Sequence, residues 1–463
     1  MSLEVRDGSV KTLWSISFPL ILSFLSMLGM VTVDRLFLAR YSTEALSAAV
    51  SGGTAAWAFA FGGQTLTNIS GVFVAQYNGA KKYDKIARPV WQMIWLSLAL
   101  IIPFGIVAIW FAPLAFAGSP IEAKQILYFR WSMATSPLIC LLGGLNGFFI
   151  GMGKTFVITW LTLFGNAVNL VLDPIFIFGW GPFPGLGISG ACIATGIGTL
   201  AQNIILLALF LKKDSRKKYG SGNFALHRET LWNMIRIGSP EALAISLELG
   251  AWAAFYCLLS NLSSQHILVA GVGQSLLMTF FFFGIGLESG IASVCGNLIG
   301  ANLKDEVVRA FQSGMKIVAL FAIGLLAVIW LGREWSVSLF LTNPENLEGG
   351  TLNPDQLAEA REYVMQGCLV IGAYIVIENI RCLLYGVLRA AGDTLFILLL
   401  SVIATWALLL VPTYLLMTVW KMPAGTSFWI WLSYAISTTA ICYLRFAAGS
   451  WRKKEILSAQ ENF

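Results

Sequence analysis

Six carboxylates, Asp34, Asp173, Glu241, Glu248, Glu288 and Glu378, stand inside long apolar stretches of the chain. An ionised side chain at the centre of a membrane helix costs about 2.5–3.5 kcal/mol on insertion scales, so each needs a purpose. Asn169 and Asp173 are four residues apart and share a helical face, and Pro174 cannot donate to the Leu170 carbonyl. A carboxylate, an amide and a freed carbonyl therefore converge. Such a cluster can ligate Na+ through oxygen or hold a proton, with Asp34 of the first helix completing it; the alternative is a hydrogen-bonded clasp between helices.

In the second half of the sequence Tyr374 and Glu378 share a face by the same spacing, and Glu241 and Glu248, seven apart, also face alike. Glu288 follows Gly284 and Gly286, where helices can approach closely. Arg381, three residues after Glu378, opens a second reading in which that acid is half of a structural ion pair. Glu241 lies near a helix end and is expected to reach water. The run Phe280 to Phe283, with Trp57, Met278 and Met30, either lines a cavity for aromatic cations or faces lipid. His227 and His266 have no companion ligand in sequence, and the seven cysteines fall in apolar runs without a CxxC pair. With no HExxH, GxGD or clustered His and Cys, the chain is not read as an enzyme and no cofactor is expected.

The elements that must position these groups are membrane helices. The 463 residues are 57% hydrophobic and 12% charged, with mean hydropathy +0.75, far from a soluble average. Twelve continuous apolar runs, the first at 12–38 and the last at 426–447, match the roughly 20 residues a bilayer core requires, so helices and not a barrel span it. The net charge of +6 does not imply nucleic acid, because the basic residues cluster in alternate loops: Lys81, Lys82 and Lys85, Lys154, Lys212 to Arg236, Lys304 and Arg309, and Arg452 to Lys454. The positive-inside bias then places both termini in the cytoplasm. The polar stretch after Lys212 divides the chain into an N-terminal lobe, 1–211, a basic linker, 212–232, and a C-terminal lobe, 233–463.

The lobes are repeats. Pro19 pairs with Pro240, Gly79 with Gly300, Ala80 with Ala301 and Asp84 with Asp305, each at an offset of 221. Gly153 and Thr155 pair with Gly392 and Thr394 at 239, and the additional residues fit a longer outer loop around Asn343, Pro344, Glu348, Asn353 and Pro354. Six spans per lobe is an even number, so the repeats run parallel about an axis along the bilayer normal. The membrane acids do not obey the repeat: at these offsets Glu248 falls on Met27 and Asp173 on Pro412, which favours specialised lobes.

The stretch GNAVNLVLDPIFIFGWGPFPGLGISGACIATGIGT, from Gly165 to Thr199, closely resembles the segment joining the fifth and sixth helices of multidrug and toxic compound extrusion (MATE) transporters. Pro19 with Asp34, VAQYNGAKK from Val74, VCGNLIGANLKDE from Val294 and LRAAGDT from Leu388 extend the resemblance over nearly the whole chain. It implies an all-α integral membrane protein of about twelve transmembrane helices in two pseudo-symmetric six-helix lobes, acting as a monomeric antiporter in a plasma membrane, of bacterial inner-membrane type. Such a protein exports small organic cations in exchange for H+ or Na+; a flippase for lipid-linked oligosaccharides is the alternative within the same superfamily. By resemblance to DinF-like members, Asp34, Asn169, Asp173 and Thr195 form the N-lobe cation site, with Na+ at the first three, and Pro19 supplies a bend. By resemblance to NorM-like members, Glu248, Tyr374 and Glu378 serve the C-lobe. Glu288 joins them from its position alone.

Overall fold

The computed structural model describes residues 7–181, 183–341, 354–454, 456 and 457. Among the described residues twelve helices are long and apolar enough to cross a membrane. They are α1 (Val10–Tyr41), α2 (Thr43–Gly79), α3 (Tyr83–Phe116), α4 (Glu122–Gly151), α5 (Thr155–Phe178), α6 (Ile188–Phe210), α7 (Arg228–Leu262), α8 (Ser264–Gly300), α9 (Lys304–Trp335), α10 (Asp355–Ala390), α11 (Thr394–Val419) and α12 (Thr426–Ala447). The expected fold, an all-α membrane protein in two six-helix halves, is the one observed. Large apolar side chains such as Leu114, Leu331 and Trp160 project from its surface, as a lipid solvent permits.

Three spans depart from the continuous helices that the apolar runs suggest. Span α2 breaks at Ile69 and α3 at Leu100. In α3 the cause is Pro103, which has no N–H for the Ala99 carbonyl. Around Pro412, α11 widens into π turns at Thr405–Leu410 and Tyr414–Val419, the usual response when a proline removes a helical donor. A two-residue ladder, β1 (Gly179–Trp180) with β2 (Phe183–Pro184), caps the turn between α5 and α6; Gly179 has φ +88°, open to glycine without strain. The linker is partly helical, with a short helix at Lys213–Tyr219 and α7 already begun at Arg228. The outer-loop residues 342–353, proposed to carry the length difference between the repeats, lie outside the described residues.

On the face carrying the 212–227 linker, here the linker face, the two halves cross tightly and with repeat symmetry. A Cβ built on Gly79 would stand 1.9 Å from the Asn297 carbonyl oxygen, and one on Gly300 would stand 2.0 Å from that of Gln76. Gln76 Nε2 donates to the Ala390 carbonyl at 2.8 Å, while Asn297 Nδ2 donates to the Gly151 carbonyl at 2.9 Å. Lys81 and Asn302, which follow the two helices, take matching left-handed turns at φ +59° and +60°. Span α1 belongs to both halves: Leu13, Ile16 and Ile21 join the hydrophobic core of the C-terminal half, and Leu20 joins that of the N-terminal half.

Candidate functional site

In the N-terminal half α5 and α6 approach through glycine. A Cβ on Gly198 would lie 2.7 Å from the Gly165 carbonyl oxygen, and that closeness sets Thr195, one turn earlier on α6, beside Asn169 of α5. Asn169 Nδ2 donates to Asp173 Oδ1 at 3.1 Å and to Thr195 Oγ1 at 3.4 Å, while Thr195 donates its own proton to the Ala191 carbonyl. Asp34 of α1 comes within hydrogen-bonding reach of Asp173. All four residues expected here from the sequence therefore meet.

The cluster is left incomplete in a specific way. Asp34 Oδ1, Asn169 Oδ1 and Asp173 Oδ2 are buried and have no hydrogen-bond partner. Three unpartnered oxygens, two of them on carboxyls that touch, form a hard, anionic donor set suited to a proton or a small alkali cation. Two carboxyls in contact escape mutual repulsion only with a proton or a cation between them. Among the described residues there is no group of three or more His, Cys, Asp or Glu suited to a metal ion, so an amide and a hydroxyl complete the set. The field of both carboxyls reaches Tyr128 of α4 and Cys192 of α6, which sequence spacing did not single out.

Pro19 sits between α5 and α8. Its carbonyl accepts from Thr159 Oγ1 at 2.6 Å and Ser23 Oγ at 2.9 Å, and α1 is one continuous helix through it. On the other side α8 presses its glycines to α1: a Cβ on Gly290 would stand 2.0 Å from Ser17 Oγ, and one on Gly286 would stand 2.6 Å from Ile21.

The C-terminal half is organised by two arginines of α10. Arg381 Nε lies 3.0 Å from each oxygen of Glu378, its Nη2 also contacts Glu378, and the same Nη2 is 3.4 Å from Glu248 Oε1 on α7. Tyr434 of α12 donates to Glu248 Oε1 at 3.3 Å. Arg389 pairs with both Glu241 of α7 and Glu288 of α8. Glu241 thus does not reach water as expected: it is buried, because Arg389 meets it inside the protein. Gly284 and Gly386 permit the approach of α8 and α10, since a Cβ on either would stand 2.6 Å from a neighbour, Asn379 Oδ1 or the Glu288 carbonyl.

Tyr374 and Glu378 line a small cavity with Leu277, Phe281, Gly284 and Cys382, and the Tyr374 ring lies 6.2 Å from that of Trp431. The Phe280–Phe283 run packs into the half rather than lying open to lipid. Phe283 is buried and stacks on Phe321 with ring centres 3.7 Å apart, and the other three pack against the core. Trp57 and Met278 are exposed. The roles of Arg389 and Tyr434 were not singled out; the only sequence trace of Arg389 was the LR pair near the end of α10.

The MatE family profile matches residues 19–175 and 240–415, two segments whose starts, Pro19 and Pro240, are separated by the repeat offset. The chain is 26% identical over 444 residues to "Probable multidrug resistance protein NorM" of Pasteurella multocida, covering 93% of this chain and 91% of that one. It is 25% identical over 464 residues to "Multidrug resistance protein MdtK" of Photorhabdus laumondii, covering 96% of each. Among solved structures, an outward-facing multidrug resistance MATE family transporter of the MOP superfamily superposes with TM-score 0.83 at 18% identity, over 99% of this chain and 98% of that one. The eukaryotic MATE transporter AtDTX14 superposes with TM-score 0.81 at 19% identity, over 98% of each.

Proposed function

The chain belongs to the MatE family, and on that premise we propose that it is a secondary antiporter in a plasma membrane, exporting small organic cations in exchange for H+ or Na+. The observation that carries the reading is the trio of buried, unpartnered oxygens on Asp34, Asn169 and Asp173. A purely structural clasp would satisfy its acceptors; this one leaves them for an ion that comes and goes. The coupling role falls to the N-terminal half because, among the described residues, its two carboxyls form no ion pair, whereas Glu248 and Glu378 share Arg381 and Glu241 and Glu288 share Arg389.

Taking the basic linker face as cytoplasmic, the two lobes, 1–211 and 233–463, are closed to the cytoplasm by the Gly79 and Gly300 contacts, with the 212–232 linker between them. Both termini then lie in the cytoplasm, and the protein works as a monomer in a bacterial inner membrane. Binding of the ion at Asp34 and Asp173 changes the packing of α1, which is clasped to α5 at Pro19 and pressed against α8 at Ser17 and Ile21. Coupling requires only that the ion bind the two arrangements with different affinity. The C-half residues Glu248, Glu288, Tyr374 and Glu378 are assigned to the substrate side. The multidrug-resistance names of the relatives favour drug export over the flippase reading.

The test is ethidium efflux from proteoliposomes under an imposed pH or Na+ gradient, with Asp173→Asn beside wild type. Efflux driven by one gradient and abolished in a folded Asp173→Asn protein is expected. Undiminished ion-driven efflux in that variant would make the cluster a clasp, and no efflux by wild type under either gradient would refute antiport.

A further inference from the structure

Among the described residues Glu248 and Glu378 face one positive charge between them. Arg381 is the basic residue that reaches either carboxylate, and Arg389 is engaged by two glutamates of its own. With both acids ionised, the group Glu248–Arg381–Glu378 carries a net charge of minus one. Its contacts are unequal: Glu378 holds Arg381 through three contacts within one turn of α10, and Glu248 is met by a single 3.4 Å contact from another helix. Glu248 is also the more open of the two, its side chain 19% exposed against 8% for Glu378.

The surroundings are apolar and aromatic, the chemistry an organic cation would meet. Beside Glu378 lies the cavity walled by Leu277, Phe281 and Tyr374, an apolar lining with two aromatic rings. The Arg381 guanidinium stands 4.7 Å above the Tyr385 ring, which together with Glu378 fixes it in place. Arg381 Nη1 is buried and has no hydrogen-bond partner, so the guanidinium is not saturated by the two glutamates and keeps a donor for an acceptor atom on a guest.

We propose that Arg381 is a tethered counter-charge that sets the valence of the substrate: by cancelling one of two carboxylates it leaves the site one negative charge, which Glu248 offers to a monovalent organic cation. In a wall of low polarity a second charge on the guest finds only Glu241 and Glu288, both already held by Arg389, and a dication is rejected. The inference rests on the reading of the chain as an exporter of organic cations and adds which of them it takes.

The experiment is calorimetric binding of hexyltrimethylammonium, one charge, and hexamethonium, two charges on the same carbon chain, to the purified full-length protein in a neutral detergent. Wild type is expected to prefer the monocation. Arg381→Gln makes the site doubly negative and should shift the affinity ratio towards the dication by about tenfold or more, the effect of a unit charge a few ångström away inside a protein. Arg381→Lys, which keeps the charge, should keep the wild-type preference. Glu248→Gln makes the group neutral and should weaken the monocation by about tenfold, which keeps the inference testable if Arg381→Gln does not fold. An unchanged ratio in folded Arg381→Gln, unchanged monocation affinity in Glu248→Gln, or no binding of either amine by wild type would overturn it. Wild type that binds the monocation yet exports no ethidium under either gradient would refute antiport and leave the charge count standing.

Discussion

Placing methyl groups on Gly79 and Gly300 should hold the linker face open. A Cβ at these positions would lie 1.9 and 2.0 Å from main-chain carbonyl oxygens of the opposite half, where contact distance is about 3.2 Å. Each alanine therefore demands roughly 1.2 Å of separation, and the obstacle is backbone, which cannot turn aside as a flexible side chain does. Overpacking costs about 1–3 kcal/mol per site. One outward shift of α2 from α8 relieves both, so the two costs are less than additive, and about 3 kcal/mol is a fair figure for the double variant. At 1.4 kcal/mol per decade, that shifts the ratio of closed to open forms about a hundredfold. Spin labels at Asp84→Cys and Asp305→Cys, repeat-equivalent positions on this face, report the separation by electron–electron dipolar measurement. The Gly79→Ala, Gly300→Ala protein should show a longer distance population and slower efflux. A wild-type distance distribution together with wild-type efflux would mean that the helices slide past each other at no cost, and the contact would not be a gate.

Three further outcomes are expected. Pro19→Ala restores a main-chain donor within α1 and should slow ion-driven efflux without unfolding the protein; normal efflux would remove Pro19 from the mechanism. Glu378→Gln leaves Arg381 underpaired in a buried site and should cost about 3–5 kcal/mol of stability, much of it recovered in Glu378→Gln, Arg381→Gln; equal melting temperatures for the two variants would refute the pairing. At the start of α11, burial pushes the Asp393 carboxyl up, but hydrogen bonds from Arg445 and Lys454 outweigh it and hold the group below its usual value. Its contribution is therefore full above the unfolded value near about 3.9 and is lost as pH falls through the lower folded value. Asp393→Asn should melt below wild type at pH 7, with the gap closing in acid; a gap that persists at pH 3 would refute the assignment.

What sequence could reveal here followed the reach of its periodicities. The offset of 221 between Gly79 and Gly300 was visible as spacing and reappears as two mirror contacts, because a duplicated helix end meets its own copy about a two-fold axis. Asn169 and Asp173 were legible because one helical turn fixes them on a common face, and Thr195 joined them by resemblance. Glu241 was misjudged because depth along a helix says nothing of what faces it, and Arg389 arrives from α10, far along the chain. Tyr434 was invisible for the same reason: its partner Glu248 is on another helix, and only the rotation of both helices brings them together. The break at Ile69 was also hidden, since hydropathy averages over the one residue where hydrogen bonding lapses, while that at Leu100 had its signal in Pro103, which hydropathy does not weigh.

The two halves differ in how their charges enter the membrane during synthesis. Glu378 and Arg381 lie within one helical turn, so α10 can insert with that pair already formed and much of the burden cancelled. Asp34 forms no such ion pair among the described residues, the adjacent Arg35 acting on it only through its field, and its partner Asp173 follows 139 residues later. At about 5–20 residues per second, α1 waits roughly 7–28 s in the bilayer with Asp34 lacking its carboxyl partner before α5 is made. During that interval α1 needs another polar contact, from the insertion machinery or from water at the membrane surface, and the step at which α5 docks on α1 becomes the point where the nascent chain is most exposed to quality control.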